Sequence, residues 1–235
     1  MRTIVIGDIH GCSKALIGLL EAIDPGKEDR LIFLGDYVDR GPDSRGVIDI
    51  LLDVQQRYTA TFLLGNHDIM FRGVLTGRDP TLWLQIGGQP TVTSYGGKLT
   101  KVDPSHLDFL QQCLPYWESD SHIYVHANYV AALPMDEQPE EALFWEHLST
   151  RLPHPHCSGK HVVCGHTPQM TGDPLHLSYL TCVDTACFAG LWLTAWCAET
   201  GQVWQVSREG HLRHRGITAR FRRWWWSGAS RRDGR

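Results

Sequence analysis

The sequence predicts an α/β fold, a mixed two-sheet β-sandwich flanked by helices, and three observations predict it. Short β-branched runs alternate with amphipathic stretches three times in the N-terminal third, the pattern of a parallel sheet with crossover helices. Apolar runs near the C-terminal end follow one another too closely for crossovers and read as antiparallel hairpins. Five of the apolar runs end in a turn that carries Asp, Asn or His, which points to a site built on loops at strand ends.

At 235 residues, 42% hydrophobic and 20% charged, the chain can bury a full core and is expected to form one soluble globular domain. Residues 3–6 form a run suited to a strand buried on both faces. Ser13 then opens a helix with Ala15, Leu16, Leu19, Leu20 and Ile23 on one stripe, closed by Asp24-Pro25-Gly26. A second strand is expected over Leu31–Leu34, then a helix with Val47, Ile48, Leu51 and Leu52 facing inward, then a third strand over Thr61–Leu64. The Gly-, Thr- and Pro-rich stretch from Thr76 to Gly97 reads as a short helix plus loops that wall a cleft. Asp103-Pro104 is an N-cap with proline at the first helical position, opening a helix through Leu107, Leu110 and Leu114. Further strands are expected at Ile123–Val125, Val162–Val163, and about 179–184, 190–197 and 202–207, with Glu199-Thr200-Gly201 turning between the last two.

Charge divides the chain into a body over 1–212 and a tail over 213–235. The last 23 residues hold eight Arg against one Asp, while the formal net charge is −4, so the body is acidic and the tail basic. Trp224-Trp225-Trp226 among these arginines suits contact with a partner or an acidic surface, but Gly, Ser and Arg dominate the end and a flexible tail is expected. Seven cysteines, odd in number and without a C-x-x-C pair, indicate reduced thiols. No export signal and no apolar run of membrane-spanning length is seen, and a cytoplasmic location is expected.

The turns that end the strands carry the chemistry. They are Gly7-Asp8-Ile9-His10-Gly11, Gly35-Asp36-Tyr37-Val38-Asp39-Arg40-Gly41, Gly65-Asn66-His67-Asp68, Val125-His126-Ala127-Asn128 and Gly165-His166-Thr167-Pro168. Asp8 and His10 are two apart, so in an extended segment both point to one side and can bind one ion. Asp36 has two carboxylate oxygens and can bridge that ion to a second, which Asn66, His126 and His166 would complete. Oxygen and nitrogen ligands without thiolate suit Mn, with Fe, Zn or Co as alternatives, better than Ca or Mg. His67 can protonate a leaving alkoxide, Asp39 can hold its imidazole, and Arg40 offers a fork for phosphate oxygens. The bland alternative is that Asp39 and Arg40 simply pair with each other across the loop.

These five motifs in this order resemble the metallophosphoesterases, and more narrowly the phosphoprotein phosphatases with their small bacterial and phage lambda-type members. The resemblance spans about residues 3–188. It implies that Asp8, His10 and Asp36 bind the first metal and Asp36, Asn66, His126 and His166 the second. It further implies His67 as general acid, Asp39 as its partner and Arg40 as a phosphate ligand, on a β-sandwich flanked by helices. Val183-Asp184-Thr185-Ala186 is similar to a late strand of the same family.

Two features depart from the pattern. Asp68 stands where the family commonly has Glu, a trait shared with symmetrical dinucleoside tetraphosphate hydrolases. Trp145-Glu146-His147 stands where many phosphatases have W-x-R, leaving His147 or Arg151 as substitutes for the second phosphate-binding arginine. The expected activity is hydrolysis of phosphomonoesters, foremost protein phosphoserine or phosphothreonine, by direct attack of a metal-bound hydroxide. The enzymatic rival is a dinucleoside polyphosphate hydrolase, against which stands Asp39, where that group commonly has Ala. A non-catalytic scaffold docking through the basic tail is the alternative from another class, and no nucleic-acid partner is expected. His154, His156 and His161 lie before Cys164 in a stretch read as a solvated loop.

Overall fold

A computed structural model describes residues 1–213. The first half runs β1 (Thr3–Ile6), α1 (Ser13–Ile23), β2 (Arg30–Phe33), α2 (Ser44–Arg57), β3 (Thr59–Phe62) and α3 (Asn66–Leu75). A helical segment follows as α4 (Thr81–Trp83), a π-helical turn over Leu84–Gly88 and α5 (Gln89–Ser94), then α6 (Pro104–Gln112). The second half holds β4 (Tyr116–Glu118), β5 (His122–Val125), α7 (Glu140–Phe144), β6 (His161–Cys164), β7 (Leu175–His176), β8 (Leu180–Cys182), β9 (Trp192–Cys197) and β10 (Val203–Ser207).

The strands make two five-stranded mixed sheets, in the orders β10-β9-β1-β2-β3 and β4-β5-β6-β8-β7. Side chains alternate across each strand. On β1, Ile4 and Ile6 therefore join the core beneath α1 and α2, while Val5 points the other way. Val5, Ile32 and Leu34 meet Tyr124, Val163 and Val183 in the core between the sheets. The two sheets thus form the sandwich that the sequence predicts. β1, β2 and β3 run parallel, as do β5, β6 and β8. The segments that follow their carboxyl ends carry the candidate site residues, in loops or, for Asn66, His67 and Asp68, in the first turn of α3.

Several boundaries differ from the sequence reading. β2 and β3 each begin earlier and stop before Leu34 and Leu64, because those residues lead into the motif loops. Asp103 does cap α6 by accepting from Ser105 N at 2.9 Å, but the buried stripe is His106, Phe109 and Leu110. Leu107 is half-buried and Leu114, 42% exposed, lies beyond the helix and bridges to Leu63 instead. β4 and β7 carry no apolar alternation of useful length and were not expected. β8 and β9 are not a hairpin: β8 pairs in parallel with β6, while β9 joins the other sheet, antiparallel to β1 and β10. His156 is 4% exposed and bonded to Ser158 Oγ and Leu133 O, so the stretch 153–161 is not a solvated loop throughout.

The start of the basic tail also shifts. Arg213 belongs to the body: its Nη1 donates to Gly172 O, Asp173 Oδ1 and Gln205 Oε1, and its guanidinium lies 5.0 Å from the Trp192 ring centroid. The rest of the tail, including Trp224–Trp226, lies outside the described residues. No helix among the described residues is long and apolar enough to cross a membrane.

Candidate dimetal centre

The backbone that presents the motif residues is bent in an unusual way. His10, Asp36, Asp39, Arg40 and His166 all have positive φ, at 46°, 53°, 72°, 64° and 61°. Non-glycine residues pay for that conformation with local strain, which persists only where the surroundings impose it. Two glycines show how tightly the loops close. A Cβ at Gly65 would lie 2.1 Å from Asp36 Oδ1, and one at Gly165 would lie 2.1 Å from Asp8 Oδ1. Both glycines leave room for a carboxylate directly against the backbone.

Asp36 sits at the middle of the arrangement. Its Oδ2 is 3.4 Å from His10 Nε2, and its Oδ1 is 3.6 Å from His126 Nε2 and accepts from His67 N at 3.0 Å. Donor atoms of His10, Asp36 and His67 lie within 4.8 Å of one another, as do those of Asp36, His126 and His166. Asn66 Oδ1 is 3.2 Å from His126 Nε2. Asp8 reaches the group differently, since both its oxygens accept from His166 N at 3.1 Å and it belongs to neither close triad.

The hydrogen bonds of the three histidines fix their tautomers. His10 Nδ1 donates to Val38 O and His126 Nδ1 donates to Leu34 O, both at 2.9 Å, so each Nε2 keeps its lone pair. His166 Nε2 donates to Trp145 O at 3.2 Å, so its lone pair is on Nδ1. Burial keeps all three neutral: it takes the pKa of His10 and of His166 down to about 3, and it also lowers that of His126. Carboxylates crowd the same space. Burial first, then Asp184 and Asp36, push Asp8 well above the usual carboxylate range, and burial raises Asp184 to about 7. Asp184 Oδ2 is buried without a hydrogen-bond partner. Neutral imidazole lone pairs facing crowded, undercompensated carboxylates are what divalent cations need and relieve. The residues present therefore fit a pair of divalent ions.

Beside this group, His67 Nδ1 is 2.7 Å from Asp39 Oδ2. The same oxygen accepts from Trp83 Nε1 at 2.7 Å, and Asp39 Oδ1 accepts from Thr91 Oγ1 at 2.7 Å. Asp39 thus engages His67, Trp83 and Thr91, and the simple Asp39–Arg40 loop pair does not form. Trp83 and Thr91 come from the segment expected to wall the cleft; nothing in their spacing announces a bond to a residue some fifty positions earlier. Trp83→Phe keeps the stack on Phe71, whose ring centroid is 5.5 Å away, and removes one donor to a buried carboxylate. We expect this to cost about 1.5–3 kcal/mol of stability, measured by denaturant unfolding, and an unchanged midpoint would contradict the contact.

Arg40 is exposed, with its Nη1 3.0 Å from His10 Nε2 and its guanidinium 4.5 Å from the Phe188 ring centroid. Phe188 also touches His10 edge-on at 5.1 Å, and its position on the turn after β8 gave no sign of this in the sequence. Asp68, which departs from the family pattern, accepts from Asp36 N, Tyr37 N and Gly65 N at 2.7–3.0 Å and so ties the second motif to the third. His147 packs against His166 with ring centroids 4.2 Å apart. Arg151 is turned away, forked onto Glu146 and donating to Tyr129 O.

Comparison with known proteins gives this arrangement a context. A family model described as calcineurin-like phosphoesterase matches residues 1–170. The serine/threonine-protein phosphatase 1 of Salmonella typhimurium is 33% identical over 141 residues, 54% of this chain and 59% of that protein. A symmetrical bis(5'-nucleosyl)-tetraphosphatase of Legionella pneumophila is 44% identical over 81 residues, 34% of this chain and 29% of that protein. The chain therefore spans less than two thirds of these curated relatives. In fold, it is similar to a crystal structure provisionally assigned as a diadenosine tetraphosphatase, with a TM-score of 0.67 at 23% identity, covering 87% of this chain and 92% of the other.

Proposed function

The chain belongs to the calcineurin-like phosphoesterase family, and on that premise we propose that it hydrolyses phosphomonoesters, foremost phosphoserine and phosphothreonine in proteins. The observation that carries this reading is the set of three neutral histidine lone pairs converging on Asp36 beside the His67–Asp39 pair. Asp8, His10 and Asp36 would hold one divalent ion, and Asp36, Asn66, His126 and His166 a second; Mn suits this donor set, with Fe, Zn or Co as alternatives. Such ions polarise a phosphoryl oxygen and lower the pKa of water.

The chain's own groups supply the rest. Asp39 fixes the proton of His67 on Nδ1 and stabilises the imidazolium, leaving Nε2 to deliver a proton to the leaving oxygen. Trp83 and Thr91 hold the Asp39 carboxylate in place. Arg40, braced by Phe188, offers two parallel N–H bonds to non-bridging phosphate oxygens.

A second reading, cleavage of a symmetrical dinucleoside tetraphosphate, draws support from the Legionella relative and from Asp68. Phosphate release measured with Mn across phosphopeptides, small phosphomonoesters and diadenosine tetraphosphate separates the two. The proposal expects the first two to be preferred, and preference for the third would replace it.

Arg40→Ala tests the phosphate fork. It should raise KM and lower kcat/KM by at least about 2–3 kcal/mol with metal content unchanged, and Arg40→Lys should recover only part, since an ammonium is a point charge. His147→Ala reports whether the ring on His166 substitutes for the absent W-x-R arginine. Arg151→Ala, which frees Glu146, is expected to affect folding rather than kcat/KM. Wild-type kcat/KM in Arg40→Ala would remove the fork.

A further inference from the structure

A groove of about 550 Å³ opens beside the candidate centre, between α3 and the segment that carries α7. Its near end is tied to the centre at two points. Leu64 directly precedes the Gly65-Asn66 turn, and Trp145, whose carbonyl accepts from His166 Nε2, lines the opposite wall. Ile69 and Arg72, each about one helical turn beyond the residue before it in the series Asn66, Ile69, Arg72, line the groove and carry that wall outward from the centre while turning away round α3. At 1.5 Å per residue, Arg72 is about 9 Å along the axis from Asn66.

The two rims are of opposite sign. Arg72 and Arg78 stand on one, and among the described residues neither forms a salt bridge. Asp136 and Glu140 stand on the other, and Tyr116 and the 37% exposed Trp145 also line the groove. We propose that this groove binds the flank of a phosphopeptide, with Arg72 and Arg78 reading an Asp or Glu two or three residues from the phosphorylated side chain. The proposal rests on the phosphomonoesterase reading above. An extended peptide advances about 3.3–3.6 Å per residue, so a carboxylate at that separation spans the distance from Asn66 to Arg72. Its alternate side chains face opposite ways, so the acidic one meets the arginine rim while an apolar neighbour packs on Trp145. A polyphosphate chain would instead set negative charge against Asp136 and Glu140 as well.

Two measurements on the full chain test this. Turnover of paired phosphoserine peptides, acidic or Lys-bearing at the second and third flanking positions on either side, is compared with that of nitrophenyl phosphate. Affinity of the same peptides is read separately by fluorescence anisotropy in a His67→Asn background. The wild type should favour an acidic peptide by about tenfold in kcat/KM and in affinity. R72E/R78E should abolish or invert that preference while leaving nitrophenyl phosphate within about twofold, and R72Q/R78Q should abolish it without inversion. A preference that survives both variants overturns the proposal, as does a wild type that does not distinguish the acidic from the Lys-bearing peptides. Absence of turnover on every monoester would strike the phosphomonoesterase reading, while arginine-dependent binding of the acidic peptide would still stand in the anisotropy arm.

Discussion

His67→Asn is expected to lower kcat on an alkyl phosphate by about 10²–10⁴ while both metals stay bound. His67 is 1% exposed and holds Asp39 at 2.7 Å, and its backbone N–H donates to Asp36 Oδ1. Asn keeps the backbone donor and its amide can still reach toward Asp39, so the loop should survive. What it loses is the imidazole that can pass a proton to the leaving oxygen. An alkoxide leaves badly without that proton, whereas nitrophenolate needs little help. The loss on a nitrophenyl ester should therefore be much smaller. Parallel kcat measurements on the two esters check this, and equal losses would remove His67 from acid catalysis. Asp39→Asn should move in the same direction, since an amide can donate to His67 and misplace the proton that the carboxylate fixes.

Asp36→Asn should abolish turnover and leave well under two metal ions per chain. Asp36 Oδ1 and Oδ2 face His126 and His10 separately, and among the described residues no other carboxylate lies in both close triads. The amide oxygen can still accept from His67 N, so the fold around the turn should persist. Its NH2 would present hydrogens toward a histidine lone pair in place of negative charge. Metal analysis after dialysis, with circular dichroism to establish folding, is the check. A variant that keeps two ions and near-normal activity would show that Asp36 does not bridge.

The fold and the meeting of the motifs on one edge are legible in the sequence, for a physical reason. Parallel strands put their carboxyl-end loops on one edge, so five motifs that each end a strand converge whatever the details between them. That Asp8, His10, Asp36, Asn66, His126 and His166 come to one edge therefore follows from where their motifs stand in the chain. What stayed hidden depends on contacts between distant segments. Trp83 and Thr91 lie in a stretch whose composition says only that it is irregular, and their bonds to Asp39 arise because the π-helical turn brings Gly87 O to Arg40 N. Phe188 reads as an ordinary apolar residue after β8. The α6 stripe differs from the one the sequence suggests because Leu114 looks like its continuation, whereas the chain has already left the helix to pair beside β3. Arg72 and Arg78 look like any solvated helix-end charges until the groove sets them opposite Asp136 and Glu140.

The central claim is that two divalent ions, held around Asp36, make this chain a phosphomonoesterase. The most direct test titrates Mn into chelator-stripped full-length chain by calorimetry while following phosphate release from nitrophenyl phosphate in matched samples. Two ions should bind per chain, with no release from the stripped protein and full release only as the second site fills. Release from the stripped chain, or full activity with a single ion bound, would contradict the account.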